Sequence, residues 1–133
     1  MSFGEHKFQV QTADDAPFVD QGLRGYFEYR DLGIGEASGG RVVAQINKAK
    51  HKVSDTGDLH HHVLDFQMNY ILKGWAIMWF EGHGEVRFEA GTAFNMPPNI
   101  KHSFLACSDD FETLEICMPA DFDTVVDADQ PPV

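Results

Sequence analysis

Short apolar segments separated by turn residues restrict this chain to a small set of folds. Turn signals recur about every eight to twelve residues from Gly33 onward. The segments between them are too short for helices and are rich in β-branched and aromatic residues, the best candidates being residues 26–30, 41–46, 66–72, 75–80, 85–89 and 111–118. No longer window shows a helical stripe with caps. The pattern predicts an all-β antiparallel fold, either a sandwich or a barrel.

Two local patterns support the strand assignment. Residues 81–84 (Glu-Gly-His-Gly) separate two apolar segments and predict the tight turn of a hairpin. In residues 111–118 the side chains alternate, because successive strand residues point to opposite faces. Leu114, Ile116 and Met118 therefore face one way, and Thr113 and Glu115 face the other.

The chain length suits a single domain. With 133 residues, there is room for one core of ordinary size but hardly for two. We expect one domain over residues 1–133. It would comprise a polar N-terminal arm (1–35), a barrel core (36–120) and an acidic C-terminal tail (121–133) that ends in two prolines and a valine.

The charge balance excludes two classes of partner. Ten Lys and Arg against 21 Asp and Glu give a net charge of −11, which argues against nucleic acid and anionic membranes as main partners. No uncharged apolar run approaches the ~20 residues that span a bilayer. The N-terminal residues do not resemble a secretory signal, and Cys107 and Cys117 are too few for a disulfide framework. These features predict a cytoplasmic protein.

Three consecutive histidines carry the first chemical signal. On a strand, His60 and His62 project from one face and His61 from the other. Two imidazoles on one face can converge on a cation, but they need further ligands to hold it tightly. Gln67 lies an odd number of positions beyond His62, so it joins them only if a turn or bulge interrupts residues 63–66.

A second stretch places another histidine after a sharp turn. Pro97 and Pro98 donate no backbone hydrogen bond and cannot continue a central strand. Asn99 tolerates the left-handed conformation that such a turn requires. The chain is therefore expected to turn here and to deliver His102 on the next strand.

Together the two stretches resemble the two signature motifs of the cupin superfamily. They are His60-x-His62-x4-Gln67-x6-Gly74 and Gly91-x5-Pro97-x-Asn99-x2-His102. The resemblance spans residues 54–106 and keeps the family's spacings. The sequence departs from the family pattern at Ser54 (for glycine), Gln67 (for glutamate), Asn99 (for glycine) and Ala106 (for asparagine).

The resemblance implies a double-stranded β-helix, or jelly roll, with one divalent metal ion inside the barrel. Its ligands would be His60, His62, Gln67 and His102. Fe, Mn, Ni and Zn all remain open as the metal. Gln67 either ligates through its amide oxygen or is a buried strand glutamine beside a three-histidine site. Asn69 either lies next to the ligands or contacts the substrate.

Four neutral ligands would leave the ion its full +2 charge and favour an anionic chelating substrate. The first hypothesis is a mononuclear non-haem metal enzyme of the dioxygenase type, in which two adjacent positions on the metal are left for substrate and dioxygen, although the resemblance itself does not select one reaction. A non-catalytic small-molecule-binding cupin and a metal-dependent isomerase or lyase are the alternatives. No residue of the matched motifs is an obvious general base, so catalytic residues other than the metal centre stay unassigned. A homodimer formed through residues 3–10 is expected, because sheet edges need covering.

Overall fold

A computed structural model describes residues 2–20, 25–54 and 57–132. Within these ranges the chain forms ten β-strands and one short helix, α1 (Ile34–Ala37). The strands are β1 (Phe27–Asp31), β2 (Val43–Ala49), β3 (Leu59–Val63), β4 (Phe66–Lys73), β5 (Trp75–Phe80), β6 (Gly84–Glu89), β7 (Ala93–Asn95), β8 (His102–Cys107), β9 (Glu112–Met118) and β10 (Asp123–Ala128). The predicted all-β class is confirmed. No helix among the described residues has the length and apolar character needed to cross a membrane.

The strands form two antiparallel sheets that enclose the core. Sheet I has the order β1-β2-β9-β4-β7, and sheet II has the order β10-β3-β8-β5-β6. The predicted hairpin is present, since β5 pairs with β6 as far as Phe80 opposite Gly84. Two facing sheets with side chains between them are the arrangement expected of a jelly roll.

A two-residue bend at Leu64 and Asp65 carries the chain from β3 in sheet II to β4 in sheet I. The backbone N–H of Asp65 donates to the carbonyl of Met118 at 2.8 Å, which ties the bend to β9. This is the interruption that the sequence required within residues 63–66. It places the start of β4 across the interior from the histidines of β3.

The sheets extend beyond residues 36–120 at both ends. β1 lies within the segment expected to be an arm and pairs with β2, whereas β10 lies within the expected tail and pairs with β3. Every residue of β10 is exposed, because it is an edge strand with little apolar contact. Its composition therefore resembles that of a solvated tail, although its backbone completes sheet II.

The two turns that connect the site strands depend on left-handed residues. Asn99 has a φ of 66°, as its position after two prolines predicts. Gly74, between β4 and β5, has a φ of 70°. A β-carbon there would overlap Oγ of Ser108 and lie 2.6 Å from Oδ1 of Asp110, so only glycine fits this turn without strain.

Aromatic and small apolar side chains form the hydrophobic core between the sheets. Cys107 and Cys117 are both buried and unpaired, at 0% and 1% exposure. Burial raises the pKa of Cys107 to about 11, so its thiol stays protonated near neutral pH. Both cysteines are therefore small packing residues, as their strand positions predict.

Candidate metal centre

Three histidines from two strands of sheet II meet at one point of the interior. His60 on β3 lies directly opposite His102 on β8 in the strand register, and His62 follows His60 by two residues on the same face. The ring centroids are 4.3 Å apart for His60 and His102, 4.9 Å for His62 and His102, and 5.1 Å for His60 and His62. One ligand atom from each ring lies within 4.8 Å of the others. The convergence that the sequence predicted is therefore present.

Each ring is held through Nδ1. Nδ1 of His60 donates to Oδ1 of Asp58 at 2.9 Å, and Nδ1 of His102 donates to the carbonyl of Ile100 at 3.0 Å. Nδ1 of His62 lies 2.8 Å from Oγ1 of Thr124 on β10. With the proton on Nδ1, Nε2 is the nitrogen that can bind a metal ion, and partners of this kind orient metal-binding histidines.

The protein around the triad restricts water and ring rotation. His60 and His102 are each only 3% exposed. The ring of Phe80 stacks on His102 with centroids 6.2 Å apart, and Phe122 packs edge-on against His62 at 5.5 Å. Three oriented imidazoles, two of them buried and that of His62 half-buried, suit a first-row divalent ion, so this donor set fits the predicted metal.

His61 points away from this cluster, as its odd position in the strand predicts. Its Nδ1 lies 2.8 Å from Oδ2 of Asp127 on β10. The pair lies on the outer side of sheet II, and His61 is not part of the histidine group that can hold a metal.

Gln67 faces the triad from sheet I. It is 3% exposed and lines the same cavity as the histidines. Its Nε2 donates to Oε2 of Glu115 at 3.2 Å, which orients the amide and leaves Oε1 as the atom suited to a metal. Direct ligation by Gln67 stays a prediction.

Glu115 is a half-buried carboxyl group in the cavity that sequence reasoning missed. It accepts hydrogen bonds from Nε2 of Gln45 at 3.1 Å and from Nε2 of Gln67. Asn47 and Asn69 also hydrogen-bond to it. Burial raises the pKa of Glu115, and these four amides offset part of that rise by favouring the ionised form.

Asn69 points into the barrel, where its side-chain oxygen accepts a hydrogen bond. Oγ1 of Thr113 donates to Oδ1 of Asn69 at 3.0 Å, and both residues line the cavity. The structure therefore puts Asn69 beside Gln67 and Glu115 on the inner face of sheet I. Contact between Asn69 and a substrate stays a prediction.

A sequence signal for Glu115 was available in the alternation of β9. The inward face carries Thr113, Glu115 and Cys117, while Met118 on the other face is exposed. Phe111 and Cys117, the apolar residues at the other odd-numbered positions of the segment 111–118, were the indications that this was the interior face. A glutamate in so acidic a chain is normally a surface residue, so the signal was weak.

The cavity has a volume of about 470 Å³ and is lined by both sheets. Its walls away from the polar groups are mainly apolar and aromatic, and they include Phe27, Met78, Phe88, Phe94 and Phe104. A cavity of this size with a few convergent polar groups is typical of small-molecule sites.

No family model matches the sequence, and no curated protein matches it. Solved structures do match. A cupin described as RmlC-like from Shewanella frigidimarina NCIMB 400 superposes with a TM-score of 0.64 at 19% identity, covering 90% of this chain and 96% of that one. KdgF from Halomonas sp. superposes with a TM-score of 0.63 at 20% identity, covering 81% and 92% of the two chains.

A larger enzyme shares the same fold over part of its length. Salicylate 1,2-dioxygenase from Pseudoaminobacter salicylatoxidans superposes with a TM-score of 0.62 at 10% identity, and the match covers 79% of this chain and 30% of that one. At these identities the likeness concerns the fold alone. Two antiparallel sheets around a three-histidine cavity, together with these neighbours, show that this protein has the jelly-roll fold of a small cupin.

Proposed function

We propose that this protein is a mononuclear non-haem metal enzyme that acts on a small chelating substrate, with dioxygen as co-substrate. The observation that supports the proposal best is the oriented triad of His60, His62 and His102. Each ring is held through Nδ1 by a separate partner. A purely structural cluster of buried histidines has no need of this common orientation.

The histidines would hold one divalent ion, such as Fe, Mn, Ni or Zn, through Nε2. When bound, such an ion supplies Lewis acidity and, in the case of iron, access to dioxygen chemistry. Gln67 is proposed as a fourth ligand through Oε1, since its Nε2 is engaged by Glu115. The apolar walls would exclude bulk water from the reacting groups.

The charges on the cavity wall change the substrate charge that we expect. Considered alone, neutral ligands favour an anionic chelator. The cavity wall, however, also carries Asp58, Glu115 and Asp121, and none of its described lining residues is Lys or Arg. We therefore propose a chelating substrate that is neutral, apart from the negative charge that its metal-binding oxygens acquire when they lose protons.

Glu115 favours a second candidate, a metal-dependent isomerase or lyase that needs no dioxygen. Such reactions move a proton next to a polarised carbonyl group and require a base in the cavity. Glu115 is a carboxyl group facing the site, and burial raises its pKa. The matched sequence motifs had offered no residue for this role.

Metal analysis combined with oxygen uptake tests the proposal. Wild-type protein should contain about one divalent ion per chain and consume oxygen with one of a panel of diketones, catechols and α-hydroxy ketones. His102→Ala should lose both properties, whereas His61→Ala should keep both, because His61 faces Asp127 on the outer side.

Product formed without oxygen would favour the isomerase or lyase, and a tightly bound ligand without turnover would favour a binding protein. Failure to bind any divalent ion would contradict all three.

A homodimer and a cytoplasmic location are also proposed. Gly4 and Lys7 donate backbone hydrogen bonds to the carbonyls of Gly39 and Ala37, which anchors the arm to the protein. Phe8 nevertheless remains 96% exposed, and Val10 is exposed as well. A second copy of the chain would cover these side chains. The buried, unpaired Cys107 and Cys117 suit a reducing compartment.

A further inference from the structure

The inner face of sheet I carries a continuous polar surface opposite the histidines. We name it the amide–carboxyl patch, and its members come from β2, β4 and β9: Gln45, Asn47, Gln67, Asn69, Thr113 and Glu115. Glu115 lies at its centre, because the strand register pairs Glu115 with Gln45 on one side and with Asn69 on the other. Asn47 pairs with Thr113 in the next inward-facing row. All six residues line the cavity.

Hydrogen bonds inside the patch fix the orientation of its amides. The side-chain N–H groups of Gln45 and Gln67 donate to the two oxygens of Glu115, and Asn47 and Asn69 also bond to this carboxyl group. Oδ1 of Asn69 accepts a hydrogen bond from Oγ1 of Thr113, and Oε1 of Gln67 is proposed above as a metal ligand. The amide oxygens of Gln45 and Asn47 are therefore the acceptors that the patch offers to a bound molecule.

Asn47 provides an independent indication of a ligand. The residue is only 8% exposed, and its Oδ1 is buried with no hydrogen-bond partner in the described part of the chain. A buried amide oxygen without a donor is costly, at about 1–3 kcal/mol. Asn47 also lines the cavity, so a donor on a bound molecule would relieve this cost.

The charge of the wall selects the kind of donor. An anionic group next to the patch would lie close to the carboxyl group of Glu115. No basic side chain would stabilise it, because the described lining residues include no Lys or Arg. An ammonium group would lose its hydration to reach a carboxyl that four amides already satisfy. A hydroxyl group loses less hydration and can donate to an amide oxygen.

We propose that the Asn47 end of the amide–carboxyl patch is a recognition subsite for hydroxyl groups on the part of the substrate that lies farthest from the histidines. The inference rests on the proposed metal function, which supplies the anchor for the other end of the molecule. Packed sheets are about 10 Å apart, so a single small ring can contact both walls. The substrate class is thus a neutral, hydroxylated chelator.

Three hydroxypyranones that share one chelating group test the proposal. Kojic acid, allomaltol and comenic acid have the same 5-hydroxy-4-pyranone, and they carry hydroxymethyl, methyl and carboxylate groups, respectively, at carbon 2 across the ring. Isothermal titration of the metal-loaded wild-type protein should show kojic acid binding roughly three- to tenfold tighter than allomaltol, the gain of one buried hydrogen bond. Comenic acid should bind more weakly than both.

Asn47→Leu should abolish the preference for hydroxymethyl over methyl while leaving the affinity for allomaltol within about twofold. Asn47→Ala is the second variant if the leucine disturbs folding. Asn95→Leu is the matched control, since Asn95 is exposed on β7 and does not line the cavity; it should keep the wild-type preference.

The metal content of every sample, measured in parallel, distinguishes failure of the proposed subsite from failure of the proposed metal function. A wild-type protein that holds its metal but binds the methyl or the carboxylate compound as tightly as kojic acid would overturn the subsite alone. An unchanged preference in both Asn47 variants would also overturn it. A wild-type protein that retains no metal would overturn both the proposed function and the subsite that depends on it.

Discussion

At the residue scale, the proposed metal binding depends on the groups that hydrogen-bond to Nδ1 of each histidine ring. Thr124 is the most informative of them, because it lies on an exposed edge strand and contacts His62 through one hydroxyl. Thr124→Val keeps the shape of the side chain and removes this hydrogen bond. We expect the affinity for the metal to fall about 10- to 100-fold, as measured by competition with a chromophoric chelator.

Thr124→Ser is the matched control and should stay close to wild type, since it keeps the hydroxyl group. Equal metal affinity in the valine variant and the wild type would contradict the proposed orientation of His62. His61→Ala should also leave the affinity unchanged, because that ring faces Asp127.

Glu115 should make the stability of the metal-free protein depend on pH. Burial raises the pKa of Glu115 above its ordinary value of 4.5, so the folded state binds this proton more tightly than the unfolded state. The free energy of unfolding should therefore fall as the pH rises from about 4.5 through the folded pKa. Urea unfolding of wild type and Glu115→Gln between about pH 5 and pH 8 measures the effect.

The difference in stability between Glu115→Gln and wild type should grow in favour of the variant as the pH rises. A constant difference across this range would show that the pKa of Glu115 is not raised. A difference of the opposite sign would show that the amides around the carboxyl group outweigh its burial.

The three histidines could be predicted from the sequence, and most of their surroundings could not. His60 and His62 are two residues apart on a strand, and His102 follows a turn marked by two prolines and Asn99, so both signals are local. Glu115 and Thr124 reach the site only through strand pairing between distant segments. An acidic residue and a threonine carry no local sign of such a role.

At the element scale, the turn between β4 and β5 connects the two sheets and leaves room only for glycine. Gly74→Ala places a β-carbon against Ser108 and Asp110 at a positive φ. Gly82→Ala is matched to it, because Gly82 has a φ of 79° and nothing within 4 Å of its added β-carbon. Both should lose about 1–2 kcal/mol to left-handed strain.

Only Gly74→Ala should lose a further ~1–3 kcal/mol from overlap with the neighbouring residues. Chemical denaturation of the two variants measures the difference. Equal destabilisation would contradict the close packing of this turn against Ser108 and Asp110.

Strands with apolar residues between clear turns were predictable to within a few residues, including the edge strands β1 and β6, whereas the edge strands β7 and β10 were not. β4 and β5 have apolar residues and clear turns at their ends. β10 has six exposed residues and an acidic composition, so only its pairing with β3 defines it. Backbone pairing of this kind leaves little trace in the side-chain pattern.

At the scale of the whole molecule, the exposed arm should determine the oligomeric state. Phe8→Glu places a charge at the most exposed aromatic position, and it should convert a particle of twice the chain mass of 14.9 kDa into a monomer. Light scattering coupled to gel filtration measures this. Val125→Glu is the control, being an exposed apolar residue on β10 that lies outside both the arm and the cavity lining. A dimer that survives Phe8→Glu and dissociates with Val125→Glu would place the interface at β10 instead.

The two sheets contribute different parts of the proposed site. Sheet II supplies the three histidines and sheet I supplies Gln67, Glu115 and the surrounding amides. Neither set forms a site alone, so closure of the jelly roll is what assembles it. The sequence motifs identify the metal-binding half, because that half is built from short, local spacings. The other half follows from long-range register.

The most direct test of the central claim is anomalous diffraction from crystals grown with Mn, Fe or Zn, recorded on both sides of the metal edge. One anomalous peak should lie about 2.0–2.2 Å from Nε2 of His60, His62 and His102. A peak bonded to fewer than all three of these nitrogens, or located away from this cavity, would contradict the account.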